Sequence, residues 1–174
     1  METLETERLR IRPFLKSDTA RIYKLSREAS LGEWIPDQVY EDETEAEGVI
    51  EYLISQYSAP LSPNTKPLVM AVELKEGDVI GHVGLNPYGD DEVEIGYAIA
   101  EAEMNKGYAT EAVSKLSKWA LDTIDINQIH GIVADENKSS AKVLEKSGYK
   151  LVESSVQNYL GKLRSCSKFI MKTR

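Results

Sequence analysis

The sequence has 174 residues, of which 41% are hydrophobic, 21 are basic and 29 are acidic, and its formal net charge is −8. This length and hydrophobic content predict one domain over residues 1–174, built around its own core. The negative charge disfavours direct binding to nucleic acid and favours a cationic substrate, although the same charge also serves solubility.

Neither a targeting segment nor a metal site is indicated. No window approaches the roughly 18 apolar residues that cross a membrane, and Met1 begins an acidic segment instead of a basic and apolar leader. Cys166 is the single cysteine, which excludes an internal disulfide, and His82 and His130 are too far apart in sequence for a metal-ligand motif. We therefore expect a cytoplasmic protein without metal or membrane association.

Periodicity predicts a mixed sheet with helices. The predicted strands are residues 6–13, 68–74, 79–85, 93–100, 129–134, 151–156 and 164–172. The predicted helices begin at an N-cap at Ser17, at a capping box of Asp42 and Glu45, at Thr110, and at Ser139 with an end at Gly148.

The order of these elements predicts their pairing. Three successive strands with short turns, one of them Gly89-Asp90-Asp91, indicate an antiparallel meander. The strand, loop, helix and strand over residues 93–134 indicate a parallel crossover. The fold class is therefore α/β (α+β), with about seven mostly antiparallel strands and about four helices.

The loop before the third helix carries the clearest chemical signal. It reads Asn105-Lys106-Gly107-Tyr108-Ala109-Thr110. Amide N–H groups at a helix N-terminus, together with the helix dipole, can bind a pyrophosphate, and Gly107 and Ala109 let it approach closely. Neither GxxxxGK[ST] nor GxGxxG occurs, so an ATP-binding P-loop and a Rossmann site are disfavoured.

Four parts of the sequence, the loop among them, resemble a known family. The segments that carry the resemblance are residues 4–13, residues 79–85 with 94–97, residues 106–112 and residues 137–149. In this order they resemble the GNAT acetyltransferase superfamily, and within it the Rim-type branch of ribosomal-protein N-terminal acetyltransferases (RimJ/RimL). The resemblance implies a GNAT fold and acetyl-CoA as co-substrate.

The resemblance also implies a set of cofactor-binding residues. They are Ile99, Ala100 and Glu101 beside the pantetheine arm, Met104, Asn105, Lys106, Gly107, Tyr108, Ala109 and Thr110 at the pyrophosphate, and Asn137 and Ser140. Met104 replaces the Gln or Arg of the family signature [Q/R]-x-x-G-x-[G/A], and Asn105 stands where glycine is common. Asn137 is alternatively the N-cap of the short helix.

Two residues are candidates for catalysis. Glu94 matches the strand glutamate that serves as base in similar enzymes; alternatively it is a solvated strand carboxylate. Many relatives in the superfamily place a tyrosine seven residues after the asparagine, but this position is Leu144 here. Ser140 is then the group that would hydrogen-bond the cofactor sulfur, or it is an ordinary residue of the first helical turn.

The acceptor pocket is assigned to Trp34, Tyr40, His82 and Tyr97. Trp34 and Tyr40 precede the second helix, where similar folds shape the pocket; alternatively they are core or lid aromatics. His82 could serve as a base near pH 7 but is alternatively a packed or surface residue of its strand. Alternation puts Tyr97 on the opposite face of its strand from Glu94.

These features predict an acetyl-CoA-dependent N-acetyltransferase that acts on a primary amine. An exposed protein N-terminus or a small α-amino compound is the easier acceptor, because an α-amine is deprotonated more readily than lysine. The alternatives are a small amine such as an amino acid, polyamine or aminoglycoside, and a module that binds acyl-CoA without turnover. A homodimer is expected from similar proteins.

Overall fold

A computed structural model describes residues 1–58, 60–89 and 91–173. Asp90 of the predicted turn lies outside the described residues. Eight strands occur within these ranges: β1 (Leu4–Glu5), β2 (Leu9–Arg12), β3 (Leu68–Leu74), β4 (Val79–Tyr88), β5 (Glu92–Ile99), β6 (Gln128–Ala134), β7 (Lys150–Tyr159) and β8 (Lys162–Lys172).

The same ranges contain five α-helices: α1 (Thr19–Ser26), α2 (Ala29–Trp34), α3 (Glu43–Ser55), α4 (Tyr108–Thr123) and α5 (Lys138–Ser147). The predicted mixed α/β fold is confirmed, with one more strand and one more helix than expected. Both extra elements are short. Strand β1 exists through its pairing with β2, where Leu4 is opposite Ile11, a contact that periodicity does not reveal.

The sheet follows the order β1-β2-β3-β4-β5-β6-β8-β7. Strands β3, β4 and β5 form the predicted antiparallel meander, and β5 pairs with β6 in parallel across the α4 crossover. The closing hairpin of β7 and β8 is also as predicted. Strand β8 lies between β6 and β7, so it joins the hairpin to the rest of the sheet.

Two apolar clusters lie against the sheet. The larger one joins α4 and α5 to residues such as Val83, Ile95 and Ile129. The smaller one joins α1 and α3 to Ala71 and Val79. The helices therefore cover both surfaces of the sheet, and α4 and α5 share one of them.

The helix termini were predicted with mixed success. The Asp42 side chain accepts from the N–H of Glu45 as expected, and Gly148 ends α5 with φ 97°. The prediction of Ser17 as N-cap is wrong: it lies in a 3-10 turn, and α1 begins at Thr19. The Asp18 carboxylate is instead held by Arg12, at 2.8 Å, because it is buried and must be paired.

No helix in residues 1–58, 60–89 or 91–173 combines the length and the apolar character that crossing a membrane requires.

Candidate active site

The candidate site lies where β5 and β6 part. Within the described chain these strands pair at one position, Glu94 opposite His130. A cleft of about 750 Å³ opens between them. Apart from the Ile132 group that bonds to Glu94, backbone groups along the divergent strands can therefore pair with an extended ligand, as an added strand would.

Most of the sequence-predicted site residues meet in this cleft. Those that line it are Trp34, Glu94, Tyr97, Ile99, Met104, Asn105, Gly107, Ala109, Thr110, Asn137 and Ser140. They come from five separate elements and loops, so the tertiary fold brings together what the sequence disperses.

Two loop residues before α4 have left-handed backbone. Asn105 has φ 61° and Gly107 has φ 86°, and asparagine and glycine tolerate this conformation best. The N–H of Glu111 makes the first helical hydrogen bond, to the Gly107 carbonyl. The three preceding N–H groups therefore have no helical partner, and the loop presents them beside the cleft as an anion site.

Helix α5 adds positive charge that sequence reasoning missed. Lys142 and Lys146 both line the cleft. They are four residues apart and so lie on one face of the helix. This spacing is visible in the sequence and would have pointed to them. Two ammonium groups beside the amide groups of α4 suit a ligand with several phosphates.

The first turn of α5 holds Asn137 and Ser140 in place. The Asn137 side-chain oxygen accepts from the Ser140 N–H at 3.1 Å, so Asn137 caps the helix, as the alternative interpretation expected. The hydroxyl of Tyr97 donates to the Ser140 carbonyl at 3.0 Å. These two bonds fix the backbone at Ser140 while its side-chain hydroxyl remains beside the cleft.

Glu94 is a half-buried carboxyl group in the cleft. Burial raises its pKa to about 7, against the opposing effects of a backbone hydrogen bond from Ile132 and the charge of Lys168. Its neighbours Val93 and Ile95 point into the large core, so Glu94 faces the other surface of the sheet. A carboxyl with this pKa can gain and lose a proton near neutral pH.

The mouth of the cleft beside Glu94 contains aromatic and acidic groups. Trp34, Asp37 and Tyr159 line it, and the Arg164 guanidinium lies 5.6 Å from the Trp34 ring centroid. Burial, with the charges of Glu94 and Asp37 among its neighbours, raises the pKa of Tyr159 to about 12. Sequence reasoning missed Tyr159, since only the fold-back of the β7–β8 hairpin brings it here.

Two residues assigned to the acceptor pocket lie elsewhere. Tyr40 packs against the core formed by α1 and α3. His82 lies on β4, and burial lowers its pKa to about 4, which makes it a poor base near pH 7. Within the described residues the cleft lining includes neither side chain. Each therefore has the packing role that was its alternative.

Four predicted cofactor residues are also outside the cleft lining of the described chain: Ala100, Glu101, Lys106 and Tyr108. The first two already use their backbone N–H groups, which donate to the Ile80 carbonyl and to the Glu28 carboxylate. The other two contact Glu103 and the guanidinium of Arg8. From outside the cleft, Lys106 and Tyr108 can still stabilise the conformation of the loop.

A family model described as the acetyltransferase (GNAT) domain matches residues 8–150. The matched region contains both divergent strands, the loop before α4 and all of α5. The chain belongs to the GNAT acetyltransferase family. It is an acetyltransferase enzyme.

The similarity to other proteins covers nearly the whole length of this GNAT chain. The uncharacterized N-acetyltransferase YjdG of Bacillus subtilis (strain 168) is 30% identical, in an alignment that covers 90% of this chain and 95% of the relative. A GNAT-family acetyltransferase from Bacillus anthracis has a solved structure with a TM-score of 0.82, at 21% identity and 98% coverage of both chains. RimL, the ribosomal L7/L12 α-N-protein acetyltransferase solved with coenzyme A, has a TM-score of 0.80 at 14% identity, again with 98% coverage of both.

This GNAT protein has Leu144 at a position where many members of the family have tyrosine. Leu144 is 1% exposed, and its Cδ1 lies 2.7 Å from where a Cβ on Gly131 would be. The leucine therefore packs closely over a glycine of β6. An apolar side chain therefore occupies the position where a tyrosine phenol would be, as the sequence indicated.

Proposed function

We propose that this enzyme transfers the acetyl group of acetyl-CoA to a primary amine, and that the acceptor is an α-amine such as a protein N-terminus. The observation that carries the proposal is that one cleft combines two features. It has an anion site at the N-terminus of α4 and a half-buried carboxyl, Glu94, with a pKa of about 7. One groove can thus hold a phosphate-bearing donor and deprotonate a nucleophile.

The donor fits the groups beside the cleft. The N–H groups at the start of α4 and the ammonium groups of Lys142 and Lys146 suit the phosphates. The open strand edges suit the amide groups of the pantetheine arm, and Asn137 would add a side-chain hydrogen bond to it. The proposal assigns Gly107, Ala109 and Thr110 to pyrophosphate binding.

The chemistry requires one proton removed and one supplied. The amine nitrogen forms a bond to the thioester carbonyl carbon, and the carbon–sulfur bond breaks. Glu94, directly or through water, accepts the proton that leaves the nitrogen, and the departing thiolate takes a proton from solvent. The Ser140 hydroxyl stabilises the developing thiolate by a hydrogen bond.

The pKa of Glu94 supports an α-amine acceptor. A base with a pKa of about 7 is well matched to an α-ammonium at about 7.7–8.0 and poorly matched to a lysine at about 10.4. Assignment to the Rim-type branch is part of this proposal. Its support is the resemblance of residues 4–13 and the α-amino acceptor named for RimL.

A second acceptor class is a small cationic amine. The charges of Asp37 and Glu94 both act on the phenol of Tyr159, and Trp34 offers an aromatic face. Carboxylates and aromatic faces both attract ammonium groups. A polyamine or amino acid with an apolar body would use the same mouth of the cleft.

The test is acceptor-dependent release of thiol from acetyl-CoA. The acceptors are a peptide with a free N-terminus, the same peptide N-acetylated but with one free lysine, and spermidine. We expect the first to react fastest, because its amine is largely deprotonated near pH 8. Preference for the lysine peptide would contradict the α-amine proposal, and an absence of release with every amine would contradict the transfer reaction.

Variants test the residue roles in the same assay. Glu94→Gln should lower kcat/KM about 10²-fold, and Ser140→Ala about 10-fold, because one general base and one hydrogen bond are lost. Glu92→Gln is the matched control, since this carboxylate is on the same strand and the same face but accepts from Gln128, pairs with His130 and is not among the described residues that line the cleft. Unchanged turnover in Glu94→Gln would remove it from the mechanism.

A further inference from the structure

The turn between β1 and β2 is hydrogen-bonded to the start of α4. The Glu111 carboxylate accepts from the Thr6 hydroxyl at 2.6 Å, from the Arg8 N–H at 3.0 Å and from the Arg8 guanidinium at 2.7 Å. The same guanidinium donates to the carbonyl of Lys106 at 2.9 Å and stacks 4.5 Å from the Tyr108 ring centroid. One arginine thus joins the N-terminal strands, the loop and the helix.

These contacts form a network instead of an isolated surface pair. The Arg8 side chain is 42% exposed, whereas that of Glu111 is 18% exposed. Burial acts to raise the pKa of Glu111, but the hydrogen bonds from Thr6 and Arg8 and the charge of Arg8 lower it overall. The carboxylate is therefore ionised and holds the guanidinium in one orientation.

The bond to Lys106 determines the direction of a peptide group. Lys106 lies between the two left-handed residues, Asn105 and Gly107. In a trans peptide the C=O and the following N–H point in opposite directions. Because the Lys106 carbonyl points to Arg8, the Gly107 N–H points away from Arg8, and Gly107 lines the cleft. A flipped peptide would instead present an oxygen to an anion there.

Arg8 lies outside the cleft lining. Among the described residues that line the cleft, Arg8 is absent, and three of its N–H directions are already used by Glu111 and Lys106. Its charge is largely compensated by a carboxylate at 2.6 Å. A positioning role fits these contacts better than direct binding of a phosphate.

We propose that Arg8, held by Glu111 and Thr6, is a positioning residue that keeps the Lys106–Gly107 peptide oriented to bind the pyrophosphate of the acyl donor. This inference rests on the proposed binding of acetyl-CoA. It assigns a function to the Thr6-x-Arg8 sequence, which is distant from the cleft-lining residues along the chain.

The experiment compares two donors that differ in the pyrophosphate. Acetyl-CoA carries it, and S-acetylpantetheine has the thioester arm without it. For Arg8→Ala and for Glu111→Gln, we expect the KM and the calorimetric Kd of acetyl-CoA to rise about 10-fold, with kcat within about two-fold, in line with the loss of one charge-assisted hydrogen bond. With S-acetylpantetheine, kcat/KM should equal that of the wild-type protein.

Arg10→Ala is the matched control. Arg10 is two residues further along the chain, in β2, is 39% exposed and pairs with Glu5 and Glu73, so its loss changes the net charge equally without contact to the loop. We expect wild-type constants for both donors. Arg8→Lys should restore less than half of the lost affinity, because an ammonium cannot bridge Glu111 and Lys106 as a planar fork does.

Each outcome has a defined meaning. Wild-type affinity for acetyl-CoA in Arg8→Ala would overturn the inference. An equal loss with both donors would also overturn it, since the clamp would then serve the fold in general. If Glu111→Gln binds as tightly as wild type while Arg8→Ala does not, Arg8 contacts the phosphate directly and the positioning role is wrong. Failure of the wild-type protein to bind acetyl-CoA would refute the proposed function first, and this inference with it.

Discussion

At the scale of single residues, Glu94 shows how burial creates a usable base. A carboxyl on an exposed strand would be fully ionised at pH 7 and would have little tendency to take a proton. In the cleft, burial raises its pKa from 4.5 to about 7. The same burial has a cost in stability, because the folded protein disfavours the ionised form.

This cost predicts a pH-dependent gain in stability for Glu94→Gln. The folded-state pKa is above the unfolded value, so the folded state binds more protons between pH 4.5 and about 7. Wild-type stability therefore falls, relative to the variant, as the pH rises through this window. After allowance for solvent screening at a half-buried site, we expect the variant to be more stable by about 1–2 kcal/mol at pH 8 and equal at pH 4.

Urea denaturation of both proteins at pH 4, 6 and 8 measures this difference. The part of the acidic limb of the kcat/KM profile that is centred near pH 7 should be absent from the variant, which keeps only the limb of the acceptor amine at about 7.7–8.0. A constant stability difference at all three pH values would show that Glu94 titrates normally in the folded protein.

At the scale of elements, the packing of α5 on β6 depends on one glycine. An added Cβ at Gly131 would come within 2.7 Å and 3.0 Å of the two terminal carbons of Leu144. Both residues are buried, so the leucine has little room to move. The pair holds the first turn of α5, with Asn137 and Ser140, at the cleft.

We expect Gly131→Ala to lower the free energy of unfolding by about 1–3 kcal/mol, the usual cost of overpacking. Leu144→Val removes the two clashing carbons, so the double variant should lose less than the sum of the two single variants. A double-mutant cycle in urea measures the coupling. Strict additivity would mean that the helix shifts away without strain.

The helices also show where local sequence is sufficient. The capping box at Asp42 and the glycine at 148 satisfy backbone groups within one turn, so the sequence predicted them. Helix α2 is different: the Ser30 N–H in its first turn donates to the carboxylate of Glu101, which is distant in sequence. Periodicity carries no information about such a partner.

At the scale of the whole molecule, the cleft divides the sheet. Among the described residues, β5 and β6 are joined at one register position, and the groups on either side belong to different parts of the chain. A ligand bound across this gap would stabilise both sides together. The free energy of unfolding should therefore rise strongly when the acyl donor binds.

Acetyl-CoA at 100 times its Kd should raise the free energy of unfolding by about 2.7 kcal/mol and the Tm by about 5–10 °C. Gly107→Glu should abolish this shift, because the side chain strains the left-handed backbone of the loop, begins 3.4 Å from the Arg8 guanidinium and places a negative charge beside the anion site. Gly77→Glu is the control, since Gly77 also has a left-handed backbone, with φ 107°, and open space around it. Thermal denaturation with and without ligand measures both. An undiminished shift in Gly107→Glu would place the donor elsewhere.

The sequence by itself determined the fold class, the meander, the parallel crossover and the loop before α4. Each depends on periodicity, turn residues or helix termini within a few positions of one another. The resemblance of four segments then indicated the family to which the chain belongs.

Only the tertiary structure decided which residues share the cleft. It placed Tyr159 and Lys142 there and left Tyr40 and His82 outside, because a strand's neighbours across the sheet depend on non-local register. It also decided that Arg8 bonds to Glu111, about a hundred residues away. The sequence does not show which residue a charged side chain pairs with. Only the folded chain sets the distance between the two charges, and this distance determines their interaction energy.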